Sequence, residues 1–288
     1  MTDTAKGVLW MLGTITSFSL MAVAGRAVLD AHDTFEIMAF RSLLGVFIIV
    51  TIVAITGRWA ELRTQRFGAH LVRNAGHFIG QNLWFFSLSL ITLSQVFALE
   101  FTTPLWVILM GPLFLGEKFT KISWLCALFG FAGVLVVTRP GMLPMNAGVY
   151  AAMSSAIFFA VSIILTKRLT STESILCILF YLTTTQLVFG LIAAGYDGDI
   201  TLPQGWDIFW LTCIGLAGLM AHFCYTMALS LAPASVVAPI DFARLPTIAI
   251  IGWLAYSEAL DIWIFVGALL IFTGNYLNIW SATRRPSA

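Results

Sequence analysis

Val96–Trp106 reads VFALEFTTPLW, and 141 positions further on Val237–Thr247 reads VAPIDFARLPT. Both stretches set an acid, Glu100 or Asp241, inside a run otherwise apolar enough for the interior of a membrane. A charge at that depth costs upward of about 2.5 kcal/mol, so it is kept for a partner or a task. The same offset aligns long stretches of the chain without a gap: Gly7-Val8 falls on Gly148-Val149, and Phe18 on Phe159. From 84 to 133, thirteen of fifty positions are identical, among them Ser94/Ser235, Phe101/Phe242, Gly111/Gly252, Glu117/Glu258 and Gly133/Gly274. Shared apolar composition alone does not put glycine on glycine and acid on acid. The chain reads as two copies of one unit, 1–140 and 141–288.

Composition names the solvent. The 288 residues are 59% hydrophobic and 10% charged, with a mean hydropathy of +0.93, whereas soluble domains carry about 25% charged residues. A bilayer-crossing helix takes about 20 mostly apolar residues. On that measure ten spans are expected: 7–29, 35–56, 69–91, 95–116, 122–138, 147–166, 175–194, 207–229, 236–256 and 262–280. The breaks between them are short and carry turn or charged residues, such as DAHD, GEKFTK and SEALD. Each copy holds five helices, an odd number, so the second copy lies upside down relative to the first. The expected fold is all-α and integral to the membrane, with ten transmembrane helices as two inverted five-helix repeats. In transporters that architecture puts the substrate near the midplane between the halves.

Lysine and arginine orient the chain. With the N-terminus inside, the inner segments hold Lys6, Arg58, Arg63, Arg66, Lys118, Lys121, Lys167, Arg168, Arg284 and Arg285, and the outer loops hold Arg139 alone. That asymmetry predicts a multi-pass protein of the inner (plasma) membrane with both termini cytoplasmic. A net charge of +1 with no basic face excludes a nucleic-acid partner. Cys126, Cys177, Cys213 and Cys224 lie in apolar runs with no CxxC and no histidine at metal-like spacing. They read as small buried hydrophobes, with no disulfide and no metal. No GxxxxGK[ST], HExxH or GxSxG occurs, and the loops are too short for a catalytic domain, so neither an enzyme nor a cofactor is expected.

Helix 3 carries Asn74, His77, Gln81 and Trp84 at spacings of three, four and three, which is one helical face. A polar stripe in lipid must turn toward the bundle interior. Its repeat partners in helix 8 are His222, on Gln81, and Tyr225, on Trp84. Trp84, Trp106 and Tyr225 offer ring faces to a planar substrate or an organic cation. The expected substrate-binding set is therefore His77, Gln81, Trp84, Trp106, His222 and Tyr225. Interhelical hydrogen bonding is the competing account of the polar members, and interfacial belts that of single tryptophans. Pro104 and Pro112, and Pro239 and Pro246, interrupt helices 4 and 9 around the two acids. Broken helices at corresponding places in two halves point to a transporter site. For the acids the expected ion-pair or gating set is Arg41, Glu100, Asp241 and Arg244. Arg41 should share Glu100's depth on the outer side and latch to it, with Arg26 as alternative. Arg244, one turn from Asp241, should serve on the inner side, with Arg73 as alternative. Proton handling by these acids or by the histidines is the competing role, so proton coupling stays open.

Pro104, the Gly116-Glu117 that closes helix 4, and the Gly130, Gly133-Val134 of helix 5 resemble the drug/metabolite transporter superfamily, in its ten-helix EamA-like branch. Pro246, Ser257-Glu258 and Gly274 are the second-half counterparts, with Ser257 where the family has glycine and Asn275 where it has valine. The resemblance covers nearly the whole chain. It implies a secondary transporter that exports small metabolites by alternating access, amino acids first, aromatic or hydrophobic ones among them. The alternative is another metabolite class: an organic cation or drug, a carboxylate or a nucleotide-like compound. A channel and an intramembrane enzyme are further alternatives. The expected partners are the small-molecule substrate and the lipid bilayer, with the protein a monomer or a homodimer.

The orientation has a direct check. Single cysteines introduced at Arg63 and Gly198 are expected to react with an impermeant thiol reagent from the inside and the outside respectively. Labelling of both from outside overturns the assignment.

Overall fold

The computed structural model describes residues 3–103, 105–107, 109–110, 121–139, 144–196, 198–231, 240–241 and 244–283. Among them run ten helices: α1 (Asp3–Val28), α2 (Thr34–Thr56), α3 (Phe67–Leu88), α4 (Leu93–Glu100), α5 (Lys121–Thr138), α6 (Ala147–Leu169), α7 (Ile175–Ala194), α8 (Trp206–Leu231), α9 (Arg244–Tyr256) and α10 (Ile262–Thr283). Pro104, Gly111, Pro112, Gly116-Glu117, Lys118, Asp197, Ser235, Pro239, Phe242, Arg284 and Arg285 lie outside the described residues.

Local sequence sets the helix ends. Asp33 caps α2 in a reciprocal box with Glu36, and Thr92 caps α4 in the same way with Gln95. Asn146 and Ser174 cap α6 and α7 with single side-chain bonds. Each cap fills a backbone N–H that the first turn leaves without a partner. Gly57 closes α2 at φ 67°, a left-handed conformation that glycine adopts without a Cβ penalty.

The span expected over 95–116 is interrupted. α4 stops at Glu100, Phe101–Thr102 form a turn, and helix resumes at Thr103. The stretch TTP explains the break. The Glu100 carbonyl would receive the N–H of residue 104 in a continuous helix, and proline has none. The Thr103 hydroxyl donates to that carbonyl instead, at 2.6 Å, and the Thr102 hydroxyl donates to Leu99 O at 2.7 Å. Side-chain donors thus compete with the helical ladder at this point, and Glu100 is left at a helix end.

The packing crosses between the halves. α1 lies along α8, α3 along α6, α2 along α7, α5 along α10, and α4 along α9. Advancing by one repeat turns the α1–α8 pair into α6–α3 and returns the other three pairs to themselves. That is the contact pattern of a twofold exchange between inverted repeats, and it means that neither half buries its inner faces alone. Among the described residues, five helices are long and apolar enough to cross a membrane: Ala5–Val28, Thr34–Thr56, Ala147–Leu169, Ile175–Ala194 and Trp206–Ala228. α3 has the length, but its polar stripe lowers its hydropathy.

Glycines set the closest approach. A Cβ on Gly133 would stand 2.6 Å from Gly267 O, and one on Gly267 2.7 Å from Gly133 O, so α5 and α10 touch backbone to backbone. Gly133→Ala is expected to push them apart at a cost of about 1–3 kcal/mol, read as a lower unfolding temperature in detergent. Ser257 takes φ 53°, which explains glycine at that position in the family. Ser257→Gly is expected to raise stability by up to about 1 kcal/mol.

Candidate functional site

A cavity lies at the centre of the bundle, offering about 120 Å³ to the centres of water molecules. Its wall comes from α1, α3, the α4 break, α6, α8 and the start of helix 9, which are three helices and their repeat mates. The mates meet residue by residue. Phe18 and Phe159, Gln81 and His222, Trp84 and Tyr225, Glu100 and Asp241, and Thr103 and Arg244 all line it, each pair 141 apart. A cavity with this lining sits on the axis that relates the halves.

Its charges converge on one guanidinium. Arg244 Nη2 donates to Glu100 Oε1 at 3.1 Å and to Asp241 Oδ2 at 2.6 Å. Trp84 Nε1 donates to the other oxygen of Glu100 at 2.8 Å. The Arg244 guanidinium also lies 5.0 Å from the Phe18 ring centre, 5.1 Å from Phe97 and 5.5 Å from Phe101, within reach for cation–π attraction. Beside this cluster the His77 and His222 rings meet edge to face, 4.7 Å between centres. Phe159 packs on His77 and its mate Phe18 on His222, each at 5.6 Å. His77 Nε2, His222 Nε2, Asp241 Oδ1 and Arg244 Nε are buried and take no hydrogen bond from the described residues. Buried polar atoms are rarely left so, and four in one apolar-walled cavity suit a ligand fixed by a few convergent polar groups.

Comparison with known proteins fits this geometry. The profile of the EamA-like transporter family matches residues 5–139 and again 146–280. The chain belongs to that family. It is similar to a riboflavin transporter of Vibrio cholerae serotype O1, 30% identical over 97% of this chain and 95% of that protein. It is also similar to an S-adenosylmethionine uptake transporter of Rickettsia felis, 26% identical over 98% and 95% of the two chains. A solved crystal structure shares the fold at a TM-score of 0.69 and 18% identity, covering 98% of this chain and 99% of the other. This EamA-like chain is thus a multi-pass membrane transporter of small molecules and not an enzyme.

The structure brings together most of the residues expected from the sequence. His77, Gln81, Trp84, His222, Tyr225, Glu100, Asp241 and Arg244 all line the cavity. Trp106 does not: helix 4 carries it a turn past Thr103, and it is half-buried. Arg41 does not latch to Glu100. It is 6% exposed, lies against Gly218 of α8, and has no carboxylate within 4 Å among the described residues. The reason is lateral: α2 packs on α7 and α8, whereas α4 packs on α9 and α6. The acids were also expected on opposite sides. They meet instead, because six residues of helix advance only about 9 Å and Arg244, a turn deeper, spans the remainder. Arg26 pairs with Glu258, and Arg73 bonds Thr166 Oγ1 and Asn74 Oδ1 at 2.9 and 2.8 Å. Sequence reasoning left Arg73, Phe18 and Phe159 out of the binding set, although the phenylalanines were already visible as repeat mates.

Losing the counter-ion of a fully buried carboxylate costs about 3–5 kcal/mol. Side-chain exposures of 14% for Glu100 and 20% for Asp241 bring the figure lower. Arg244→Met is expected to lose folded yield and nearly all flux in reconstituted vesicles. Glu100→Arg with Arg41→Glu, a charge exchange across a contact this structure lacks, is expected to restore nothing. Recovery of flux by that exchange would overturn the assignment of Glu100 to Arg244.

Proposed function

We propose that the chain is a secondary transporter of a small metabolite built on a planar nitrogen heterocycle, moved through the central cavity by alternating access. One observation carries the reading: repeat-matched rings line one cavity on the axis between the halves, and four buried, unpartnered polar atoms belong to residues of its wall. Riboflavin and S-adenosylmethionine, named for the relatives above, both combine such a ring system with hydrogen-bonding groups. Their names weigh toward the second of the two substrate readings, another metabolite class, and away from amino acid export. Inward movement follows the uptake named for the Rickettsia felis relative. The setting is the bacterial inner membrane with both termini cytoplasmic, as the basic asymmetry supports. The repeats divide near residue 140.

The ends of the bundle supply the gates. At one end Arg26 pairs with Glu258 and donates to Leu88 O and Ile91 O, while Glu258 accepts from Leu93 N at 3.1 Å. Arg139 pairs with Asp261 at the same end. These contacts tie α1, α3, α4 and α5 to the loop between α9 and α10. One repeat on, Arg26 falls on Lys167 and Glu258 on Glu117. In the structure Lys167 is exposed, and Glu117 lies outside the described residues. The alternate state exchanges the first pair for the second.

The test is flux in vesicles with labelled riboflavin, S-adenosylmethionine and tryptophan. Saturable uptake with counterflow is expected for a heterocyclic metabolite. His77→Ala, Gln81→Ala and His222→Ala are expected to cut flux at least tenfold at normal expression. Saturable movement of tryptophan alone, or normal flux in all three variants, overturns the reading. For the gates, Glu117→Lys and Lys167→Glu are each expected to slow flux, and the double exchange to recover it.

A further inference from the structure

At the end of the bundle opposite the Arg26–Glu258 pair, three side chains from two segments of the chain meet outside the cavity. His70 stands in the first turn of α3, Glu173 just before α7, and Cys177 in its first turn. A ring nitrogen of His70, Cys177 Sγ and a Glu173 carboxylate oxygen all lie within 4.8 Å of one another. The Cys177 thiol donates to Glu173 Oε2 at 3.3 Å. His70 is 1% exposed and Cys177 not at all, and His70 Nε2 takes no hydrogen bond from the described residues. Two neighbours fix the donors. The Tyr181 ring lies 4.7 Å from that of His70, and the Thr64 hydroxyl donates to Glu173 Oε1 at 2.7 Å.

We propose that His70, Glu173 and Cys177 bind a divalent transition-metal ion of borderline softness, with zinc as the type. Imidazole, carboxylate and thiolate are the donors that zinc takes. Donor atoms of a tetrahedral zinc site stand about 3.5 Å apart. The sulfur and a carboxylate oxygen are already near that separation, and the histidine has at most about 1.3 Å to close. On binding, the S–H bond breaks, its proton leaves to solvent and the sulfur keeps the electron pair for the metal. Thr64 and Tyr181 orient the ligands from behind, and the three residues leave one position of a tetrahedral ion for a further ligand. Spacing along the chain hid the site, because its ligands come from positions 70, 173 and 177.

The other repeat contains a control. Glu173 falls on His32 and Cys177 on Glu36, which also meet at 3.3 Å. There Glu36 accepts from Asp33 N at 3.1 Å and Thr201 N at 2.5 Å, so its oxygens are filled by the backbone and the pair works as a helix cap. At the matching place in the second half a thiol replaces that carboxylate. His70, whose mate is Leu211, adds the third donor. A bound ion would join α3 of the first half to α7 of the second.

The test uses full-length protein purified in detergent, stripped with a chelator and titrated with Co²⁺ and then Zn²⁺. One cobalt per chain is expected, with a near-ultraviolet thiolate-to-cobalt charge-transfer band that zinc abolishes. Cys177→Ser should remove the band, and His70→Gln should weaken zinc binding at least tenfold with an unchanged elution profile. If Cys177→Ser does not fold, the parent titration and His70→Gln decide. Binding of neither metal in stoichiometric amount, a cobalt spectrum without the band, a band that persists in Cys177→Ser, or unchanged zinc affinity in His70→Gln overturns the site.

Discussion

One guanidinium holds the centre of this molecule. Two carboxylates near each other in an apolar bundle repel and cannot be hydrated well, so they coexist only around a shared cation. Arg244 is suited to that place because its planar fork stays charged and stacks on rings, here those of Phe18, Phe97 and Phe101. Glu100 and Asp241 come from different repeats, and Trp84 joins from α3. One side chain therefore ties the first half to the second in the wall of the cavity. A buried ion pair is weak evidence for stability. Its use here is to fix which helices face one another.

The architecture is symmetric and the chemistry is not. Mates share places in the wall but differ in kind: glutamine against histidine, tryptophan against tyrosine, threonine against arginine. Only the second half contributes the cation of the clamp. Two inverted repeats permit two openings related by the axis, yet with Arg244 on one side only, those openings differ in energy. The same inequality recurs at the periphery, where a saturated helix cap at Glu36 is matched by the thiol of Cys177.

Much of this was legible in the chain. Span positions, the repeat and its inversion followed from hydropathy, an offset of 141 and an odd helix count. The polar stripe on α3 was visible as a helical face, and its His77, Gln81 and Trp84 do line the cavity, while Asn74 donates to Tyr181 O of α7 at 2.8 Å. What sequence lacked was the azimuth of each helix. Counting residues from a helix end gives an expected depth along the membrane normal, and by that count Arg41 stood beside Glu100. It faces α8 instead, which no depth count reveals. Trp106 was named for its ring face, and the sequence does not say toward which neighbour helix 4 turns it beyond the break. His70, Glu173 and Cys177 were invisible for a plainer reason, since only the tertiary contact between α3 and α7 brings them together.

A transporter has to divide its contacts into those that persist and those that exchange. The Gly133–Gly267 crossing belongs to the first kind, because backbone in contact with backbone leaves nothing to re-pair when it separates. In the proposed cycle the Arg26–Glu258 pair belongs to the second, because one repeat away the sequence again holds a cation and an acid, Lys167 and Glu117. A pair that is broken at one end while its mate forms at the other costs little in net energy. A pair without a charged mate, such as Arg139–Asp261 with Trp280 and Thr120 at the matching positions, costs its full strength to open. Equilibria of this kind turn on a few kcal/mol, which is the scale of one partly buried ion pair. Inversion of the repeat thus does more than build two openings: it offers the Arg26–Glu258 contact of the proposed gate a replacement.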